Sequence, residues 1–297
     1  MNKEIFARIP NTIFSIKTDE LNSNGTYKYV SDGSIYREIK DDKVIKIIYN
    51  LIIGTNFKMI CNTSINELIT LCGYKETDKN IKAFKELLYK MDSKKIIHIM
   101  NNFYRGNDLI NVDTENIFNM AENGYTVLEQ KEVDIIDNIT KDNRQRNTLL
   151  KCYFFIKCMC HKRSNNTQAG LHFEAETQSI TMDYKYINKF ISVTDITKCI
   201  NILKENNLIM FDNFLIYKLE NPENKQDAKN TYVVHALEEN WDEELTKDEL
   251  RLAINQYKDR LKQKGFIISK KYLNNDKSAN GYKGKLIQMS NKAKKNI

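Results

Sequence analysis

Residues 44–112 contain five segments whose order decides the fold. They are VIKIIYNLII (44–53), TSINELITLC (63–72), DKNIKAFKELLYKM (78–91), KKIIHIM (94–100) and DLINV (108–112). In the first and third segments, apolar residues recur with the spacing of an amphipathic helix. The last two segments are short and rich in Ile and Val, as strands are. The sequence therefore predicts three helices followed by a β-hairpin.

Residues 148–236 repeat this order. Three helical segments, TLLKCYFFIKCM, TMDYKYINKFI and TDITKCINILKEN, precede the strand-like pieces LIMFD, FLIYKL and TYVVHA. We expect the second hairpin to pair residues 214–219 with 231–235, with the polar stretch 220–230 as the loop at its tip. The chain thus contains the same supersecondary unit twice.

Three helices and a hairpin is the order of a winged helix-turn-helix, whose third helix enters the major groove while the hairpin reaches phosphate. The expected fold class is α+β and mostly helical, with two tandem winged helix-turn-helix domains, a C-terminal helix and a basic tail. We place the first domain, with an N-terminal segment, at 1–125. A linker at 126–147 leads to the second domain at 148–240, and the helix and tail occupy 241–297.

The third helix of each copy combines an apolar face with a polar face that carries Lys and Asn. These side chains donate hydrogen bonds to phosphates and base edges, as groove reading requires. An ordinary amphipathic surface helix would show the same pattern, so the hairpin that follows is what favours DNA. The candidate DNA-binding residues are Lys79, Asn80, Lys82, Lys85 and Arg105 in the first copy, and Thr197, Lys198, Asn201, Lys225 and Lys229 in the second.

Composition is that of a folded globular protein, with 41% hydrophobic and 29% charged residues over 297 positions. The net charge of +7 is compatible with nucleic acid, and residues 266–297 carry eight lysines against one acid. That tail is either a solvated surface or an arm that adds salt-dependent affinity for DNA. The apolar run 44–53 is too short to span a bilayer, and no signal-peptide core is visible. We expect a cytoplasmic protein without a membrane partner.

Motifs of catalysis are not found in the sequence. There is no phosphate-binding loop of the G-x-x-x-x-G-K-[ST] type and no G-x-S-x-G nucleophile elbow. None of the four histidines forms an H-x-H pair of the kind that holds a metal beside a nucleophilic tyrosine. The sequence therefore predicts a binding protein with no enzymatic activity and no cofactor.

Six cysteines occur mostly within apolar helical segments and show no spacing of a secreted disulfide framework. The densest group is Cys152, Cys158, Cys160 and His161. Zinc sites usually show two ligand pairs separated by a longer spacer, which is missing here. We expect reduced thiols in the core and no metal.

The N-terminal segment FARIPNTIF (6–14) precedes the apolar helix KVIKIIYNLII (43–53), which contains Tyr49. This order resembles plasmid replication initiators of low-GC Gram-positive bacteria, in which F-x-x-I-P-x-x-[LI]-F precedes a Tyr-containing helix and a winged domain. The matching residues are Phe6, Ile9, Pro10, Ile13 and Phe14. The resemblance covers 4–112 by motif and 148–236 as a fold pattern.

The resemblance implies a protein that binds repeated sites in double-stranded DNA at an origin and recruits host replication proteins. It also implies self-association as a dimer and a mechanism without a covalent step. Two alternatives remain open from the residues. One is a plasmid or phage transcription regulator with duplicated winged domains, and the other is a winged-helix module that binds proteins.

Overall fold

The computed structural model describes residues 5–21, 27–165, 179–234 and 243–269. This part of the chain is mixed α/β, about half helical, with small antiparallel sheets. Its helices are α1 Ile35–Ile39, α2 Val44–Ile53, α3 Ile65–Leu71, α4 Asp78–Ser93, α5 Glu115–Glu122, α6 Gln130–Ile139, α7 Asn143–Asn165, α8 Tyr184–Ile191, α9 Ile196–Glu205 and α10 Glu243–Gln263. Its strands are β1 Phe6–Pro10, β2 Ile16–Leu21, β3 Tyr27–Val30, β4 Ile60–Thr63, β5 His98–Ile99, β6 Ile110–Asp113, β7 Tyr125–Glu129, β8 Ser179–Met182, β9 Ile209–Asp212, β10 Leu215–Lys218, β11 Asn221–Asp227, β12 Asn230–Val234 and β13 Phe266–Ser269.

Residues 44–113 form what we call the first unit. Its order is α2, β4, α3, α4, β5 and β6, so the three expected helices and the final hairpin are present. The sheet contains an additional strand, β4, and the last strand β6 lies between β4 and β5. Ile110 and Val112 of β6 are fully buried against the helices, which fixes the register because a slip by one residue would expose them.

Residues 143–234, the second unit, repeat this topology. Helix α7 is followed by β8, α8, α9 and β9, and the last strand β12 again lies between the other two. On β12, Tyr232 faces the helices and is fully buried. Both units therefore share one element order and one strand order.

The predicted pairing of the second hairpin is wrong. Strand β12 pairs with β9, whereas β10 pairs with β11 and β13 in a separate sheet. The predicted loop at 220–230 is mostly strand β11. Phe214 and Ile216 bury against α10 in a second hydrophobic cluster, and this burial draws β10 away from the sheet of the second unit.

Residues 126–147, expected as a linker, are folded into the molecule. Strand β7 pairs with β1, and residues 130–139 form helix α6. Leu128, Val133 and Ile136 lie in the same core as both units. In the N-terminal segment, β3 pairs with β2 in a two-stranded sheet.

Helix α7 joins the two units through one continuous core. Residues 149–160 are all buried, and the helix contacts α2, α6, β7, α8 and α9. Near the middle of this helix, Phe14 packs edge-on against Phe155, with ring centroids 5.4 Å apart. The core of the first unit therefore has no boundary with that of the second.

Three buried lysines contribute ion pairs to this junction. Each is no more than 8% exposed in its side chain, and each pairs with a carboxylate from another element. The pairs are Lys46 with Asp137, Lys151 with Asp42 at 2.6 Å, and Lys157 with Glu132 at 2.5 Å.

Helix α10 covers the outer face of the second unit's sheet by packing on β8, β9 and β12. It ends before Gly265, whose φ of +80° suits glycine at the C-terminal cap. The lysine-rich tail lies outside the described residues. All six cysteines are buried and free, which confirms core thiols. Within the described ranges, no helix is both long and apolar enough to cross a bilayer.

Candidate nucleic-acid interface

Helix α4 is built so that one face is fixed in the core and the other is open. Thr77 caps its start by accepting a hydrogen bond from the backbone N–H of Asn80 at 3.3 Å. The buried face consists of apolar residues at helical spacing, namely Phe84, Leu87, Leu88 and Met91. This face determines which residues point outward.

Lys79 and Lys82 are exposed on α4, as the sequence predicted. The ammonium of Lys82 lies 4.0 Å from the carboxylate of Glu86, one turn later, and both side chains are more than half exposed. A pair of this kind is worth at most about 0.5 kcal/mol, so it can be exchanged for a phosphate at little cost.

Asn80 and Lys85, also expected in the groove, are engaged with neighbouring loops. The Asn80 amide donates to the carbonyl of Lys75 at 2.8 Å and is half-buried. The Lys85 ammonium lies 5.2 Å from the ring centroid of Phe103, and it donates to that residue's carbonyl at 3.4 Å. Asn80 therefore stabilises the turn before α4, and Lys85 holds the loop between β5 and β6 against α4.

The loop between β5 and β6 carries Arg105 on its exposed tip. The Asp108 carboxylate accepts the backbone N–H groups of Tyr104 and Arg105 at 2.7 and 2.8 Å, and these bonds lower the pKa of Asp108. Gly106 accepts a bond from the backbone of Asn66 on α3, and a Cβ there would lie 2.1 Å from the Asn66 amide oxygen. The loop is thus tied to α3.

Helix α9 presents the corresponding surface of the second unit. Asp195 caps its start by accepting the backbone N–H of Lys198 at 3.1 Å. Thr197, Lys198 and Asn201 are exposed on one side. Across the described ranges, the side chains of these three residues make no hydrogen bond or ion pair, so their donors are free for a ligand.

Lys225 and Lys229 are both exposed but differ in their surroundings. Lys225 lies on β11, with its ammonium 5.9 Å from the ring centroid of Tyr217. Lys229 forms an ion pair of 3.2 Å with Asp183, the residue that caps α8. Lys229, which follows the β10–β11 hairpin, therefore connects this hairpin to α8, while Lys225 remains an exposed cation.

The first turns of α7 contact both the turn before α4 and the start of α9. Arg146 approaches the carbonyl of Gly73, in the turn before α4, at 3.4 Å. Asn147 donates to the hydroxyl of Tyr74 at 2.6 Å, and burial raises the pKa of Tyr74 to about 12. On the other side of the same turns, Arg144 shares a cavity with the start of α9.

Arg144 is an exposed cation that the candidate set missed. The run KDNRQRN at the start of α7 could have indicated it, because this run is basic. Clustered basic residues attract polyanions. No cluster of three or more His, Cys, Asp or Glu side chains that could hold a metal ion occurs within the described ranges.

Comparison with known proteins returned no relative. No family model matches the chain, and neither curated proteins nor solved structures give a significant match.

Proposed function

We propose that the two units are tandem winged helix-turn-helix domains and that the protein binds double-stranded DNA in a sequence-specific manner. The observation that carries the proposal is the repeated topology. Each unit has three helices and a sheet in which the last strand is central, with an exposed cationic third helix. Two independent copies of this arrangement are more informative than one, because a single amphipathic helix bearing lysines is common on protein surfaces.

Binding would use α4 and α9 as recognition helices in the major groove. Lys79, Lys82 and Lys198 supply cations for phosphates, and Thr197 and Asn201 supply groups that can bond base edges. Arg105 at the first hairpin loop is suited to a flanking phosphate. The side chains need no rearrangement of the core, since their helices are anchored by apolar faces.

We further propose that the DNA is a plasmid origin and that the protein is a replication initiator. This role rests on the resemblance of FARIPNTIF to the opening of such initiators. In the structure Ile9, Ile13 and Phe14 of this motif are buried, and Phe14 packs on α7. The apolar residues of the motif thus anchor the segment that follows β1 to α7, which explains why they are apolar.

Electrophoretic mobility shifts with DNA flanking the gene test the binding. Five exposed cations, Lys79, Lys82, Arg105, Arg144 and Lys198, would give a slope of log K against log salt of about −4.5 if each meets a phosphate. No binding at low salt would contradict the proposal and favour the protein-interaction module.

A genetic experiment separates the initiator from the regulator. A plasmid that lacks only this gene should fail to replicate if the protein is its initiator. If the plasmid persists with altered transcription, the protein is a regulator, and DNA binding is retained as its molecular function.

A further inference from the structure

The loop between β5 and β6, residues 100–109, exposes several large apolar side chains. Tyr104 is 79% exposed, Leu109 is 62% exposed and Met100 is 52% exposed. Arg105, which follows Tyr104, is exposed as well. We call these four residues the loop tip. Single exposed apolar residues are normal on a protein surface, whereas several of them within one short loop indicate a binding surface.

Hydrogen bonds hold the loop in one conformation. The Asp108 carboxylate accepts the backbone N–H groups of Tyr104 and Arg105, and it is the only acidic group in the loop sequence. The Asn101 amide donates to the carbonyl of Leu109 at 2.8 Å and accepts the backbone N–H of Asn111 at 2.7 Å. Because the backbone is already ordered, a ligand that binds to Tyr104 causes little further loss of conformational entropy.

The loop lies along α4, the proposed recognition helix. The ring of Phe103 stacks on that of Tyr89, with centroids 5.3 Å apart. Further along the loop, a Cβ on Gly106 would lie 3.1 Å from Cδ1 of Ile81. Lys82 lies about two turns before Tyr89, so both side chains project from the same side of the helix. The loop tip and the exposed Lys82 therefore belong to one surface.

We propose that the loop tip stacks the ring of Tyr104 on an unpaired base of DNA. A nucleic acid offers flat base faces and an anionic backbone, and this surface offers an exposed aromatic ring with Arg105 and Lys82 beside it. Within a paired duplex the faces of the bases are covered by their neighbours, so Tyr104 can stack only where bases are unpaired. The position of that base next to a duplex held by α4 rests on the proposed function, whereas stacking itself requires only the loop tip.

Two DNA molecules that carry the sequence flanking the gene test the proposal. One is fully paired, and the other contains a short central bubble of unpaired thymines. Fluorescence anisotropy with the full-length protein should show tighter binding to the bubble. Tyr104→Ala should weaken binding to the bubble by about 5- to 100-fold, the range of one base stacked on an aromatic ring, and should leave binding to the paired duplex unchanged. Tyr104→Phe should retain the preference, because it keeps the ring.

Phe57→Ala is the matched control. Phe57 is 89% exposed and lies 5.8 Å from the Lys58 ammonium, so it also combines an exposed ring with a cation. It precedes β4, whose Ile60 pairs with Asp113 at the end of β6 away from the loop tip. Phe57→Ala should therefore leave both affinities unchanged, and a loss equal to that of Tyr104→Ala would overturn the proposal. Circular dichroism spectra should be the same for all variants, since the replaced side chains are exposed.

The two DNA molecules separate this proposal from the proposed function. Equal affinity of the wild type for both, or an equal loss on both in Tyr104→Ala, would overturn base stacking and leave duplex binding intact. Binding to the bubble through Tyr104 without binding to the paired duplex would support base stacking and overturn the proposed function. Failure to bind either DNA would overturn both proposals and favour a protein partner for the loop tip.

Discussion

Three lysines have side chains that are buried in the protein. Lys46, Lys151 and Lys157 each pair with a carboxylate that comes from another helix or loop. The pair of Lys157 with Glu132 is the most buried of the three, because both side chains are buried. The Glu132 carboxylate also accepts a hydrogen bond from the hydroxyl of Tyr153. A buried charge is tolerated only while its partner stays in place.

Replacing Lys157 with Met should lower the free energy of unfolding by about 3–5 kcal/mol, because the Glu132 carboxylate would be left buried without its cation. Urea denaturation followed by circular dichroism measures the change. Lys262→Met is the control, since Lys262 forms an exposed pair with Asp259 and should cost less than about 1 kcal/mol. Equal losses of unfolding free energy in both variants would show that the buried pair contributes no more to stability than the exposed pair.

Lys82→Ala and Lys198→Ala should each weaken DNA binding and reduce the magnitude of the salt slope by about 1, because each would remove one phosphate contact. The melting temperature should stay unchanged, since both side chains are exposed. Mobility shifts over a salt series give the slope, and Lys262→Ala on α10 serves as the control. A large loss of stability would mean that the helix faces are wrongly assigned.

At the scale of elements, caps and apolar stripes were predictable because their signals are local. The start of α3 at Ser64 with Glu67, and of α4 at Thr77, follow from residues within one turn. Strand pairing was not predictable in the same way. FLIYKL and TYVVHA are equally strand-like, and only the burial of Phe214 and Ile216 under α10 decides that β9 is the partner of β12.

Ser64→Ala should reduce the free energy of unfolding by about 1 kcal/mol, because the side chain caps α3 by accepting the Glu67 N–H at 3.1 Å. Ser93→Ala is the matched control, since Ser93 is exposed at the end of α4. Its hydroxyl donates a hydrogen bond to the carbonyl of Lys90 within the same helix and caps no helix start. Chemical denaturation of both variants gives the comparison. A larger effect at Ser93 would contradict the assignment of the cap.

Of the candidate surface, sequence alone identified the exposed Lys79, Lys82, Arg105, Thr197, Lys198, Asn201 and Lys225. It could not foresee that Asn80, Lys85 and Lys229 bond to neighbouring loops, because those partners are brought near by the fold. Arg144 was overlooked for the same reason. Its position beside α9 depends on α7 packing between the units.

For the whole molecule, the continuous core across α7 implies that the two units unfold together. Urea denaturation monitored by circular dichroism and by tyrosine fluorescence should give coincident single transitions, as expected when the two units share one core. Two separated transitions would show that the first unit is stable without the second. The buried pair of Lys151 with Asp42 makes such independence costly.

Because α7 belongs to the cores of both halves, the distance and twist between α4 and α9 are set by the protein and not by a tether. If α4 and α9 bind DNA as proposed, this fixed spacing would determine how far apart the two contacted grooves must lie. Inserting about five base pairs between the two contacted grooves would rotate one of them to the far side of the duplex and abolish simultaneous contact, whereas about ten would restore the facing but stretch the separation.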